Sequence, residues 1–302
     1  MKKTVICHFY NEEFLLPWWL MHHKAIFDHG IMIDYASDDR SCEIIRELCP
    51  SWEIYPSRNE YFDGDKIDEE VMDIERELTG WRATLNVTEF LYGNTDHLDD
   101  RSEDTQYLIT NYVFVDMQDP DKGSTELSHN TPLYEQRYWG YWDNANDGHE
   151  LPAGTLSRMN RSIHNFPVKY TGGRHWPRTD YSFDDLVIFY YGYVDASDKG
   201  LERKAQIRFK TSEYAARKNP TTQMPPGARF ELDDNGQVIV VGLDGTELNY
   251  LNYPGGWGTH HNYNKEQFIR QYKEDQQPLS KDMRNEIKNI LEHNRRCTGQ
   301  EW

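Results

Sequence analysis

The chain has 302 residues, enough for one large core or for one core with a subdomain. Acidic residues outnumber basic ones by 51 to 33, a net charge of −18, which argues against a broadly basic nucleic-acid surface; an anionic ligand would need a local basic cluster, a helix N-terminus or a metal. Aromatic residues make up 14%, too many for a disordered chain, so some are expected to line a surface or a cleft.

Cys7, Cys42, Cys49 and Cys297 have no CxxC spacing, and neither a zinc site nor a disulfide framework is predicted. The opening MKKTVICHFY is leader-like only until the polar Asn11–Glu12–Glu13, and no stretch approaches a membrane span. Reduced thiols, no transmembrane segment and a cytoplasmic location are the expectation.

Residues 4–10 are β-branched and apolar and predict a buried first strand. Residues 13–28 predict a helix, with Pro17 tolerated in its first turn and Gly30 as its stop. A second strand over 31–35, a turn at Ser37–Asp38–Asp39 and a helix over 42–49 capped by Ser41 follow. Residues 52–55 predict a short third strand. Ile67, Val71, Ile74 and Leu78 recur at helical spacing, which predicts a helix over 65–79 with one buried face and an acidic solvated face, ended by Gly80. Residues 81–86 and 89–92 read as one strand continuing past a polar interruption. The alternation predicts an α/β fold, a single domain with a mostly parallel central sheet and helices on both faces. Ligands of such sheets sit at the carboxyl ends of the strands.

Further on the pattern weakens. Strands are expected over 107–115 and 166–170, and a loop-rich insertion over 116–160. Residues 186–193 fit a strand or a helix start equally. Residues 200–217 are more helical, 225–247 resemble a hairpin turning at Asp233–Gly236, and 264–275 and 278–296 predict helices.

Three polar clusters fall at strand ends. Tyr10–Asn11–Glu12–Glu13 follows the first strand, where Asn11 also fits a plain helix cap. Asp34 with Ser37, Asp38 and Asp39 follows the second; an acid there accepts from a base N–H or a ribose hydroxyl, or merely makes a polar turn. Asn86–Val87–Thr88–Glu89 interrupts an apolar strand, as a strand bending over a ligand or metal does, and as a β-bulge does.

In order and spacing these residues resemble the family-2-like glycosyltransferases of the A-type fold. The branch in question has Tyr-Asn-Glu after its first strand and a Trp-rich helix with a following His, matched by Tyr10–Asn11–Glu12, Trp18–Trp19 and His22. Its Asp-x-x-Ser-x-Asp turn is matched by Asp34, Ser37 and Asp39. Its Trp leading into Asp-x-Asp-Glu-Phe is matched by Trp81 and Asn86–Val87–Thr88–Glu89–Phe90, with both aspartates replaced. The resemblance covers residues 4–92 well and the remainder weakly.

The resemblance implies one glycosyltransferase-like domain over 1–302, with a nucleotide-binding half (1–93), an acceptor-side half with long loops (94–263) and C-terminal helices (264–302). It implies a hexosyltransferase-like enzyme that moves a sugar from a nucleotide diphosphate-sugar to a glycan or other hydroxyl acceptor. A non-catalytic nucleotide-sugar- or carbohydrate-binding protein on the same fold is the alternative, motivated by Asn86 and Thr88. Tyr10, Asn11, Glu12, Asp34 and Asn86 are the expected nucleotide contacts. The Gly172–Gly173 turn with nearby basic residues from Arg161 onward suits phosphate, and Arg174, Arg203 and Lys204 are its expected ligands. Neutral Asn86 and Thr88 predict weakened or absent dependence on Mn²⁺ or Mg²⁺, with Glu89, His175, His260 and His261 as the remaining metal candidates. Asp180, Asp184 and Asp185 are candidate bases for the acceptor, without a choice among them. Trp139, Tyr141 and Trp142 either line an acceptor groove or pack the long loops.

Overall fold

The computed structural model describes residues 1–100, 104–115, 126–142, 161–170, 173–174 and 180–195, together with isolated positions and short strands between 197 and 292. The first strands and helices alternate as β1 (Lys3–Phe9), α1 (Leu16–His23), β2 (His29–Asp34), α2 (Ser41–Leu48), β3 (Glu53–Pro56), α3 (Gly64–Arg76) and β4 (Trp81–Thr84). The later elements are β5 (Glu89–Tyr92), β6 (Gln106–Val115), α4 (Leu133–Gln136), β7 (Trp139–Trp142), β8 (Arg161–His164), β9 (Ser182–Tyr193), β10 (Arg229–Leu232), β11 (Val238–Val241), β12 (Glu247–Leu248) and β13 (Gln277–Pro278).

A ten-stranded sheet runs β13-β7-β6-β8-β4-β1-β2-β3, with β9 paired to both β6 and β5. Strands β1 to β4 are mutually parallel. Past β4 the direction changes: β4–β8, β8–β6, β6–β7, β7–β13 and β5–β9 are antiparallel, and only β6–β9 is parallel. The expected mostly parallel sheet, and with it the A-type glycosyltransferase sheet implied by the resemblance, is therefore corrected to a mixed sheet in a single α/β domain. Apolar runs report burial but not strand direction, and the later strands are equally apolar in either sense.

Residues 81–92 are not one strand. The chain turns at Asn86, whose carbonyl accepts from the Glu89 N–H (2.9 Å), and β5 leaves to pair with β9. Residues 186–193 belong to the long strand β9. The strand expected over 166–170 lies instead at 161–164. The hairpin over 225–247 is present as β10–β11, continued by β12. Trp139, Tyr141 and Trp142 fall on β7, paired to β6, rather than in a loop. Most of 200–217 and of the expected C-terminal helices lie outside the described residues, though positions 285, 288, 289 and 292 are helical.

Alternation along β1 builds two cores. Val5, Cys7 and Phe9 join Trp18, Trp19 and Leu20 of α1 and Ile44 and Ile45 of α2 on one face. Ile6 joins Ile31, Ile33 and Val71 of α3 on the other. His8 shares the parity of Ile6 and so faces α3. Helix α1 is shorter than expected, because the chain tightens at Ala25 and Ile26 onto the carbonyls of His22 and His23. Gly30 does not end it. It sits inside β2, where a β-carbon would fall 2.1 Å from the Trp52 ring.

Two further expectations are corrected. Asp63 caps α3 through its carboxylate, accepting from the Asp65 and Lys66 N–H groups, whereas Ser41 opens α2 without a side-chain cap bond and accepts instead from the Glu12 N–H at 2.8 Å. The acidic face of α3 is not wholly solvated. Asp68, Glu70 and Glu75 are buried, because they meet partners from distant segments. Glu75 takes the Tyr170 hydroxyl (2.5 Å) and contacts His164 Nε2 (3.1 Å).

Candidate functional site

A cavity of about 270 Å³ opens at the carboxyl end of β1 and β4. Its walls include His8, Tyr10 and Glu12 from the end of β1, Tyr35 and Phe62 from neighbouring loops, Asn86 and Thr88 from the β4–β5 turn, Arg161 from β8, Arg174, Tyr190 from β9, and Arg203.

The two polar motifs after β1 and β2 are bonded to each other. The Asn11 N–H donates to Ser37 Oγ (3.0 Å), Asn11 Nδ2 to Asp38 Oδ1 (2.6 Å), and the Asp38 N–H returns to Asn11 Oδ1 (2.9 Å). Asn11 has a φ of 49°, a left-handed conformation that asparagine tolerates. The Glu13 N–H donates to Asp39 Oδ2 (2.9 Å), and Asp34 Oδ1 accepts from the Ser37 N–H (2.9 Å). Tyr10 and Glu12 thus reach the cavity wall, whereas Asn11 and Asp34 hold the loops behind it and are not among the lining residues.

The turn between β4 and β5 is held from α1. Trp19 Nε1 donates to the carbonyls of Asn86 (3.0 Å) and Glu89 (2.9 Å). His22 Nε2 meets the Leu91 carbonyl (2.6 Å), and the Leu91 N–H donates to His23 Nε2 (3.0 Å). These side chains serve the edge of β5 that no described strand pairs. The Trp-rich helix and its histidines therefore act on the shape of the site without lining it.

Glu89 is fully buried, and both of its oxygens face Arg161: Nε to Oε2 and Nη2 to Oε1, each at 2.8 Å. Oε2 also accepts the Asn86 N–H (2.7 Å), and Arg161 Nη1 donates to the Gly173 carbonyl (2.7 Å). Arg174 lies one residue on with a φ of 62°. Its N–H donates to Asp68 Oδ1 (2.8 Å), its Nη2 to Asn86 Oδ1 (2.7 Å) and its Nη1 to His8 Nδ1 (3.0 Å).

His8 Nε2 in turn contacts Glu70 Oε2 at 3.2 Å. Accepting at Nδ1 leaves its proton on Nε2, directed at Glu70. Burial pushes the His8 imidazole down to about 4, against the opposing pull of Glu70. Burial alone would raise Glu70, but hydrogen bonds from His8, the Arg58 N–H and Ser57 prevail and hold it down at about 2. Burial pushes Asp68 up to about 7, opposed by Arg174. Burial and the neighbouring Arg161 lower Arg174.

Of the residues expected from sequence, Tyr10, Glu12, Asn86, Arg174 and Arg203 come together at this cavity. Arg203 is paired there with Glu12 (3.2 Å). Lys204, His175, His260 and His261 lie outside the described residues. Among the described residues no group of three or more His, Cys, Asp or Glu is arranged for a metal. Asp180 is exposed. Asp184 and Asp185 lie on β9 six and five residues before Tyr190, roughly 15–20 Å along an extended strand from the cavity-lining position. Sequence reasoning missed His8, Tyr35, Phe62 and Tyr190. A histidine inside an apolar strand is the one local signal that pointed to any of them. No described helix is long and apolar enough to cross a membrane.

No family model and no curated protein matches the chain. Among solved structures it is similar to TarS of S. aureus, at 12% identity and a TM-score of 0.32, over 72% of this chain and 41% of that one. The chain thus spans about two fifths of the length of TarS. It is similar to TarS 1–349 in complex with UDP-GlcNAc, at 10% identity and a TM-score of 0.33, over 72% and 69% of the two chains. It is also similar to HddC from Yersinia pseudotuberculosis, at 10% identity and a TM-score of 0.36, over 64% and 95%. All three likenesses are distant.

Proposed function

We propose that the cavity binds a nucleotide diphosphate-sugar and that the chain transfers its sugar to a hydroxyl of a glycan or small-molecule acceptor. The observation that carries this reading is a cationic, aromatic-lined cavity at strand carboxyl ends in a chain of net charge −18. Arg174 supplies positive charge beside Arg161 and Arg203, which are paired with Glu89 and Glu12, and Tyr10, Tyr35, Phe62 and Tyr190 supply ring faces for a base or sugar. Stabilising the departing diphosphate by fixed donors is the largest single contribution such a site makes to transfer.

The test is a screen of nucleotide-sugars by thermal shift, followed by release of nucleoside diphosphate with candidate acceptors. A rise in melting temperature with one donor and turnover above the rate of an Arg174→Gln variant support transfer. A second reading, binding without transfer, is favoured by one observation: Glu12 is the one carboxylate among the described lining residues, and it is paired with Arg203. Stable donor binding with no product for any acceptor would decide for that reading.

A further inference from the structure

We propose that the cavity takes a diphosphate group directly on the guanidinium of Arg174, with no divalent cation between them. This rests on the reading that the cavity is a nucleotide-diphosphate site and names how the anion is held.

Among the described residues, those at the metal-signature positions do not fit a metal. A hard cation needs lone pairs and net negative charge from its ligands. Asn86 Oδ1 is occupied by Arg174 Nη2 at 2.7 Å. Both oxygens of Glu89 are taken by Arg161. His8 Nδ1 accepts from Arg174 Nη1 at 3.0 Å. A cation brought to any of these atoms would sit within a few ångströms of a guanidinium, where like charges repel strongly and solvent screening is weak.

The same geometry suits an anion. Arg174 is 3% exposed and lines the cavity. Among the described residues its guanidinium has two side-chain partners, an imidazole nitrogen and an amide oxygen, both neutral. Its Nε has no hydrogen-bond partner. A guanidinium carries more N–H donors than these two acceptors use. A buried charge without an ion pair is costly, and a bound anion relieves that cost. Asp68 meets the backbone N–H of Arg174 and not its guanidinium. Glu89 is neutralised by its own arginine. The position of Arg174 is also fixed in advance. Glu70 is held by Ser57 Oγ (2.8 Å), the Arg58 N–H (2.8 Å) and Asn59 Nδ2 (2.9 Å); it orients His8, and His8 with Asn86 holds the two Nη groups of Arg174. A preoriented guanidinium loses little freedom when it meets phosphoryl oxygens.

The experiment is titration calorimetry at about 0.15 M salt, where exposed charges are screened. The probes are inorganic pyrophosphate and the diphosphates of uridine, guanosine, cytidine, adenosine and thymidine, each in EDTA and in Mn²⁺. At least one probe is expected to bind in EDTA, with its affinity changed less than threefold by Mn²⁺. Arg174→Gln is expected to weaken it at least tenfold, and Arg174→Lys less. Asn86→Asp guards against a variant that fails to fold, since it keeps the shape of the turn and restores an acid of the metal signature. Direct recognition predicts that the carboxylate introduced by Asn86→Asp pairs with Arg174 and weakens binding with no gain from Mn²⁺. Mn²⁺-dependent tightening in that variant, a wild-type requirement for Mn²⁺, or unchanged affinity in Arg174→Gln would overturn the proposal. Binding of pyrophosphate alone in EDTA supports it while removing the nucleotide-sugar reading. Nucleotide binding only with Mn²⁺ removes it and leaves that reading standing. Binding of no probe under either condition removes both.

Discussion

Arg161 clasps both carboxylate oxygens of Glu89 at 2.8 Å, and the two residues are 72 positions apart, on β8 and β5. Each is buried, so truncating one leaves the other charge without a partner in a poor solvent for it. Arg161→Ala or Glu89→Ala is expected to lower unfolding stability by about 3–5 kcal/mol. The double variant Arg161→Met/Glu89→Leu is expected to lose much less than the sum of the single losses, because neither charge is then stranded. Urea denaturation checks both, and a single truncation costing under about 1 kcal/mol would show that the pair is well solvated.

Trp19 ties α1 to the turn that carries Asn86. Trp19→Phe keeps the ring packing and removes the donor to two carbonyls, at an expected cost of about 1–3 kcal/mol. Hydrogen exchange at residues 86–91 is expected to quicken selectively. Trp18→Phe, which loses one bond to the Thr131 carbonyl, leaves exchange there unchanged. Equal quickening in both variants would argue against a specific hold on the turn.

Gly30 faces the Trp52 ring at a distance no β-carbon tolerates. Gly30→Ala is expected to destabilise by about 1–3 kcal/mol through overpacking. Trp52→Leu in the same chain is expected to restore part of the denaturant midpoint. A wild-type midpoint for Gly30→Ala alone would contradict the close approach.

Acid is expected to destabilise the fold through His8 and His23. Burial lowers both, His8 from 6.5 to about 4 and His23 well below its ordinary range, so the unfolded chain binds protons that the native one refuses. Their contribution is complete above pH 6.5 and is lost as pH falls toward 4 for His8 and further for His23. Asp68 acts in the opposite sense. Raised from 3.8 to about 7, it favours the folded state below 3.8 and loses that contribution as pH rises through 7. Asp68→Asn keeps an acceptor for the Arg174 N–H, and its melting temperature is expected to fall more steeply than the wild type's between about pH 6.5 and 4. Parallel profiles for the two proteins would show that Asp68 titrates normally.

The amino-acid sequence by itself determined where chain segments are buried. Short apolar, β-branched runs at 4–10 and 31–35 and the helical spacing of Ile67 and Val71 are local properties, and β1, β2 and α3 formed where those patterns lie. It also marked Tyr10, Glu12, Asn86 and Arg174, because polar residues at strand ends and beside a Gly–Gly turn stand out against apolar surroundings. Only the tertiary structure decided direction and partnership. Whether β5 continues β4 or leaves it depends on β9, about a hundred residues on. Glu70, Glu75 and Asp68 resemble a solvated acidic face until His8, His164 and the Arg174 N–H arrive from other segments. The reading of Glu89 as a metal contact turned on the same point. A carboxylate takes whichever cation the fold delivers to it, and here the fold delivers a guanidinium from β8, a choice that no local pattern around Glu89 encodes.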